Sequence, residues 1–144
     1  METKPYIVSG GVFNDDRGDL FHVNDFIMDD VRRFYIIHQD DMSVVRAWHA
    51  HKHERKYFYV AQGAFLLAFV KIDNWPNPSP SLQAEKFLLS EKESNVICVP
   101  EGYANGVKAL EPNSKLVVFS NKTLADAADD SWRYDKNLWV DWGV

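Results

Sequence analysis

The sequence predicts an all-β sandwich or barrel, and three observations carry that expectation. About ten short apolar segments rich in branched and aromatic residues recur along 144 residues, turn-forming clusters separate them, and only one stretch has helix-forming composition. The first strand is expected at Tyr6 to Ser9, ended by Gly10-Gly11, and the second at Leu20 to Val23, after the turn material Asn14-Asp15-Asp16-Arg17-Gly18. Arg33 to His38 and Val44 to His49 follow, then Lys56 to Ala61 and Ala64 to Ile72, split by Gln62-Gly63. The Pro-rich segment Asp73 to Pro80 reads as a surface excursion. Lys86 to Leu89 and Asn95 to Val99 come next, then Gly106 to Leu110 after Pro100-Glu101-Gly102, and Lys115 to Ser120 after Glu111-Pro112-Asn113-Ser114. A short helix is expected near residues 123–130, with Thr123 as its cap and Asp126 three residues on. There is no internal repeat and no break in composition, so residues 1–144 are expected to form one domain.

Composition narrows the class of function. With 46% hydrophobic and 14% aromatic residues, the chain can build a core without metal or disulfide staples. Its one cysteine, Cys98, has no partner for an internal disulfide and lies among Val96, Ile97 and Val99, as a buried structural thiol would. A net charge of -5 and a pI near 5.5 argue against nucleic acid as a partner. No apolar run reaches the length of a membrane span, and Met1 to Pro5 lacks the layout of a signal peptide, so a cytoplasmic location is expected.

The densest chemistry lies in Arg46-Ala47-Trp48-His49-Ala50-His51-Lys52-His53-Glu54-Arg55-Lys56. If the segment is extended, His49, His51 and His53 point to one face, and Trp48 and Ala50 to the other. Such a row can bind metal, bind phosphate or move protons. Plainer roles stand beside these: His49 as a core histidine, Lys56 reaching to solvent from a rim, and Arg17 pairing with Asp15, Asp16 or Asp19 in its own turn.

His49-Ala50-His51, Gly63 and the later block Val99-Pro100-Glu101-Gly102-Tyr103-Ala104-Asn105-Gly106 resemble the two motifs of the cupin superfamily, which implies a small jelly-roll barrel with a site in its mouth. The metal-binding pattern adds a Glu four or five residues after His-x-His and a third His in the second block. Here Arg55 and Lys56 take the Glu positions and Asn105 the His position, and two imidazoles facing an ammonium would repel a divalent cation. No metal and no cofactor are expected.

Within the cupins, the chain resembles the dTDP-4-dehydrorhamnose 3,5-epimerases and the dTDP-sugar 3,4-ketoisomerases. Asp15-Asp16-Arg17-Gly18, Arg46-Ala47-Trp48-His49, Lys56 with Gly63, Pro100 to Gly106, and Trp132-Arg133-Tyr134-Asp135 to Asp141-Trp142 follow the epimerase order; His49-Ala50-His51-Lys52 is similar to the ketoisomerase string. The resemblance implies proton transfer next to the carbonyl of a nucleotide-linked 4-keto-6-deoxy sugar. That chemistry requires a base at carbon, expected at His49, and a cation at the developing enolate oxygen, expected at Lys56. Arg46 would hold the base or touch substrate, and His51 would share the proton on the same face. Arg17, Tyr35, Tyr103, Asn105 and Phe119 complete the expected substrate-binding set. The resemblance places Arg17 on the diphosphate across a subunit boundary, in a homodimer expected also because jelly-roll sheets expose edges.

Two departures bear on the reaction. The epimerases carry an acidic Tyr on a late strand, where this chain offers Phe119, with Tyr35 and Tyr103 as substitutes; they also continue into a segment that supplies an Asp partner for the catalytic His, whereas this chain ends at Val144. Both favour a ketoisomerase-like or restricted epimerase reaction. The main alternative is a cupin that binds a sugar or sugar nucleotide without turning it over, and a metal-dependent oxygenase comes third.

Overall fold

Alternating apolar side chains draw the chain into two packed antiparallel sheets. The computed structural model describes residues 3–143; Met1, Glu2 and Val144, to which the expectations about the two chain ends in part refer, lie outside them. The elements are β1 Tyr6–Ser9, β2 Gly11–Asp15, β3 Gly18–His22, β4 Arg33–Gln39, β5 Val45–His51, β6 Lys56–Gln62, β7 Ala64–Lys71, β8 Ala84–Ser90, β9 Asn95–Val99, β10 Tyr103–Ala109, β11 Ser114–Ser120, α1 Leu124–Ala127 and β12 Trp132–Arg133. One sheet runs β1-β9-β6-β11-β4 and the other β12-β5-β10-β7-β8, while β2 and β3 form a separate hairpin.

β7 explains why two cores form. Phe65, Leu67 and Phe69 point between the sheets, where they meet Phe58, Val60, Ile97, Leu116 and Val118; Leu66, Ala68 and Val70 point outward yet are also buried. Their cover is the C-terminal strap around Leu138 to Trp142, which packs indoles against Trp48. A strand covered on both faces reads as a continuous apolar run, as Ala64 to Val70 does. Gly106 permits that packing, since a Cβ there would come within 2.7 Å of the Trp142 ring and 2.9 Å of Trp48. Gly63 closes the β6–β7 turn at φ 73, against Ser114.

The structure differs most from expectation in three places, while β5 runs two residues past its expected end and β8 begins two residues early. The strand expected from Leu20 is the second arm of a hairpin whose first arm, β2, carries only Val12 and Phe13 as apolar residues and pairs residue for residue with β3. β10 begins at Tyr103, three residues early, because Gly102 at φ 92 turns the chain directly into the ladder. β12 is two residues long and exists through pairing with β5, from Ala50 to His49. Thr123 does cap α1, accepting the backbone N–H of Asp126 at 3.1 Å. Among the described residues, no helix is long and apolar enough to cross a membrane.

Candidate active site

At the mouth between the sheets, β4, β5, β6, β10 and β12 surround a cavity of about 340 Å³ lined by Tyr35, Arg46, His49, Lys56, Asn105 and Arg133, among others. It continues into a space of about 430 Å³ beneath α1, which His51, Glu54 and Ser131 also line. A more open depression of about 710 Å³ on the outer face, beside Trp139 and Lys136, contains no imidazole.

Arg46 and His49 are three residues apart, so a regular strand would point them to opposite faces. Here Asn105 opposes His49 and Val107 opposes Arg46, so two steps on β10 span three on β5. That bulge inserts one residue into β5 and reverses the side-chain alternation between the two positions. Both side chains therefore reach the cavity.

His49 places Nε2 2.7 Å from the Ser131 hydroxyl, and its ring centroid lies 4.3 Å from that of His51. Burial, followed by the charges of His51, Lys56, Arg133 and Arg46, pushes its pKa down to about 3. The ring is accordingly neutral at physiological pH. His51 is buried, and its Nδ1–H donates to the Asp130 carbonyl at 2.7 Å. That bond fixes the proton on Nδ1 and leaves Nε2 as an acceptor, buried and without a hydrogen-bond partner. Burial and the Lys56 ammonium lower its pKa, while the Asp130 carbonyl and Glu54 pull it upward. The Asp130 carboxylate accepts the backbone N–H groups of Lys52 and His53 at 2.7 and 2.8 Å, pinning the turn that follows β5.

Lys56 is only 6% exposed and donates from Nζ to the Tyr35 hydroxyl at 3.0 Å. The Arg33 guanidinium lies over the same phenol, 5.2 Å from its centroid. Asn105 is buried at the cavity wall, its Oδ1 without a hydrogen-bond partner. The cavity and its continuation thus combine two neutral imidazoles, a shielded ammonium, a phenol, an amide, three guanidiniums (Arg33, Arg46 and Arg133) and one buried carboxylate, Glu54. This set suits an anionic ligand and can move a proton between carbon and imidazole beside a fixed positive charge. Among the described residues, no three His, Cys, Asp or Glu side chains converge as metal ligands.

Six of the expected residues, His49, His51, Lys56, Arg46, Tyr35 and Asn105, meet here. Three do not. Phe119 stands opposite Tyr57 and Phe34 in the ladders and packs on Phe26 and Phe34 at the outer face, because the inward positions of β11 are Leu116, Val118 and Ser120. Tyr103 gives its hydroxyl to the Thr3 carbonyl at 3.0 Å, with the Lys71 ammonium over its ring. Arg17, whose side chain is 84% exposed, sits at the hairpin tip and binds the Asp15 carboxylate through Nε at 3.0 Å, the pairing its turn allowed. His53 lies beyond the end of β5 and is exposed, so the row of three imidazoles is a pair.

Glu54, Arg33, Ser131 and Arg133 belong to the site and were not singled out from the sequence. Glu54 follows His51 by three residues, one position before the slots where a cupin carboxylate was expected. The tail motif beginning at Trp132 was the available signal for Ser131 and Arg133.

A sequence model of the family described as dTDP-4-dehydrorhamnose 3,5-epimerase matches residues 4–144. Among solved structures, an rmlC epimerase of Mycobacterium tuberculosis superposes with a TM-score of 0.79 at 22% identity, covering 98% of this chain and 75% of that one. A dTDP-6-deoxy-D-glucose-3,5-epimerase of Legionella pneumophila, solved with dTDP-4-keto-L-rhamnose, gives 0.78 at 17% identity over 97% and 79%. A sugar 3,4-ketoisomerase of Thermoanaerobacterium thermosaccharolyticum, solved with TDP, gives 0.71 at 16% identity over 93% and 90%. These likenesses establish the cupin-type jelly-roll fold. No curated protein matches by sequence.

Proposed function

The chain belongs to the dTDP-4-dehydrorhamnose 3,5-epimerase family, and on that premise we propose that it is a metal-independent isomerase of a dTDP-linked 4-keto-6-deoxy sugar. His49 or His51 takes the proton from the carbon next to the carbonyl; the C–H electron pair passes into an enolate whose oxygen faces the Lys56 ammonium. The proton then returns to carbon, from an imidazole on the same face or from Tyr35. Returned to the carbon it left, on the opposite face, it completes a 3- or 5-epimerisation. Delivered to C4 while the hydroxyl proton of C3 passes to the C4 oxygen, it completes a 3,4-ketoisomerisation. One observation carries the proposal: two imidazoles with ring centroids 4.3 Å apart share one cavity with a lysine that is only 6% exposed. The pairing of both imidazoles on one strand favours proton transfer on a single face.

The acting species is proposed to be a homodimer. Phe13 and Leu20 on the hairpin, and Phe34 and Ile36 on the edge strand β4, are each more than half exposed, and a second copy would cover them. Arg17, outside its own chain's cavity, would then meet the diphosphate bound by the second copy.

Solvent deuterium incorporation into a dTDP-4-keto-6-deoxy sugar, read by mass spectrometry, tests the proposal. Wild-type protein should exchange and His49→Ala should lose most of that activity. A second reading, a cupin that binds the sugar nucleotide without turnover, draws on the partner of His49 being the Ser131 hydroxyl rather than a carboxylate. Measurable binding with no exchange would establish it.

A further inference from the structure

Among the described residues, Glu54 is the one carboxylate in the cavity lining, and the proposed chemistry gives it no task. Its side chain has no solvent exposure (0%). Oε2 accepts hydrogen bonds from the Ser120 hydroxyl and from Nη2 of Arg33, the latter at 3.3 Å. Oε1 stands 3.2 Å from Nδ1 of His51 and accepts no hydrogen bond. A buried carboxylate with one oxygen unpaired is costly to a fold, and such a group calls for a reason. Its nearest basic group on that side is His51.

We propose that Glu54 is a positioning residue that prepares His51 to carry a proton on Nε2. This rests on the proton-transfer function proposed above. With the ring neutral, Nδ1–H is committed to Asp130 and the Nε2 lone pair is free. When the proton from the substrate carbon reaches Nε2, its C–H electron pair passes into the enolate and the ring becomes an imidazolium. That new charge lies against Glu54, whose unpaired oxygen then gains a cationic neighbour. The proton's return to carbon restores the neutral ring. Other charges act on His51 as well: His49 on its own strand and Lys56 on β6 oppose the imidazolium, while Arg33 on β4 acts from behind Glu54 and offsets part of its charge. The Asp130 carboxylate, held by backbone N–H groups, adds a smaller pull in the same direction as Glu54, and Tyr103, opposite on β10, is engaged with Thr3. His49 has no comparable carboxylate, only the Ser131 hydroxyl. The two imidazoles are therefore unequal, and His51 is the better store for a proton.

Titration of the two rings by nitrogen-15 NMR tests this without any substrate. In the wild type, His51 should take up its proton at higher pH than His49; the reverse order would overturn the proposal. In Glu54→Gln, which has the same shape without the charge, the His51 titration should move to lower pH. Its kcat should fall about tenfold or more while KM stays within about twofold. Glu54→Asp, which keeps a charge, should lie between the two. An unmoved titration in Glu54→Gln, or a moved titration with unchanged kcat, would refute the positioning role. If Glu54→Gln does not fold, the wild-type order of titration decides. Absence of exchange by the wild type would count against the proposed function and leave the titration result standing.

Discussion

Replacing Lys56 by methionine removes the ammonium and keeps most of the apolar stem, which makes it a direct test of what the charge contributes. The group is 6% exposed and held by the Tyr35 hydroxyl at 3.0 Å, so little solvent screens it from a ligand in the same cavity. At about 4 Å and an effective dielectric constant of about 20, one unit charge stabilises an enolate oxygen by about 4 kcal/mol, or about a thousandfold in rate. The stability cost should be small, within about 2 kcal/mol, because the lost hydrogen bond to Tyr35 is offset by relief of a buried charge. The assay is deuterium wash-in at saturating sugar nucleotide, with thermal melting of both proteins as the control for folding. Because Lys56 also holds His49 down, the His49 titration should move upward in the same variant. Exchange within about threefold of wild type in a protein that melts normally would refute the role given to this cation.

Three further outcomes are expected. The pKa of His49 is held near 3 against an ordinary value of 6.5, and that of His51 is lowered too, so between these limits the unfolded chain binds protons that the folded one does not. Stability should be full above about pH 6.5 and fall as the pH drops toward 3, by about 2 kcal/mol for His49 once its partial exposure is discounted; urea midpoints at neutral pH and near about pH 4.5 should differ less in a His49→Ala, His51→Ala double variant. Tyr35→Phe should lower product formation by about a hundredfold if the phenol returns the proton, whereas Phe119→Tyr should change nothing, since that ring faces away from the cavity; product analysis by chromatography checks both. Asp at positions 13 and 20 together should convert a dimer into monomers by light scattering and weaken dTDP binding through the loss of Arg17 from the neighbouring site.

The strands were legible where one periodicity dominated. β1 and β9 fall at the expected residues, and β4, β6 and β11 fall within one residue of them, because branched and aromatic residues fill segments bounded by Gly, Pro or acidic turns. β2 and β12 escaped because neither has an apolar pattern of its own; each exists through the strand it pairs with. The His49, His51 and Lys56 cluster was visible because all three lie within eight residues of one another. Phe119 was misplaced for a different reason: matching a motif position does not settle which face of a strand a side chain occupies, and Lys56 opposite Ser120 puts residue 119 outside. Glu54 and Arg33 lie 21 residues apart, and Ser131 meets His49 across 82, so these contacts become visible only when the sheets close.

The bulge in β5 lets the strand carry one residue more than its partner between two cavity-facing positions. Loss of a single codon between Arg46 and His49 would make the ladder regular and set those two residues two apart, the spacing at which a regular strand presents both to one face. The guanidinium and the imidazole would stay in the cavity. What such a deletion gives up is the extra residue's own packing: without Trp48, the indoles of Trp139 and Trp142 lose the ring that docks the C-terminal strap to the sheet.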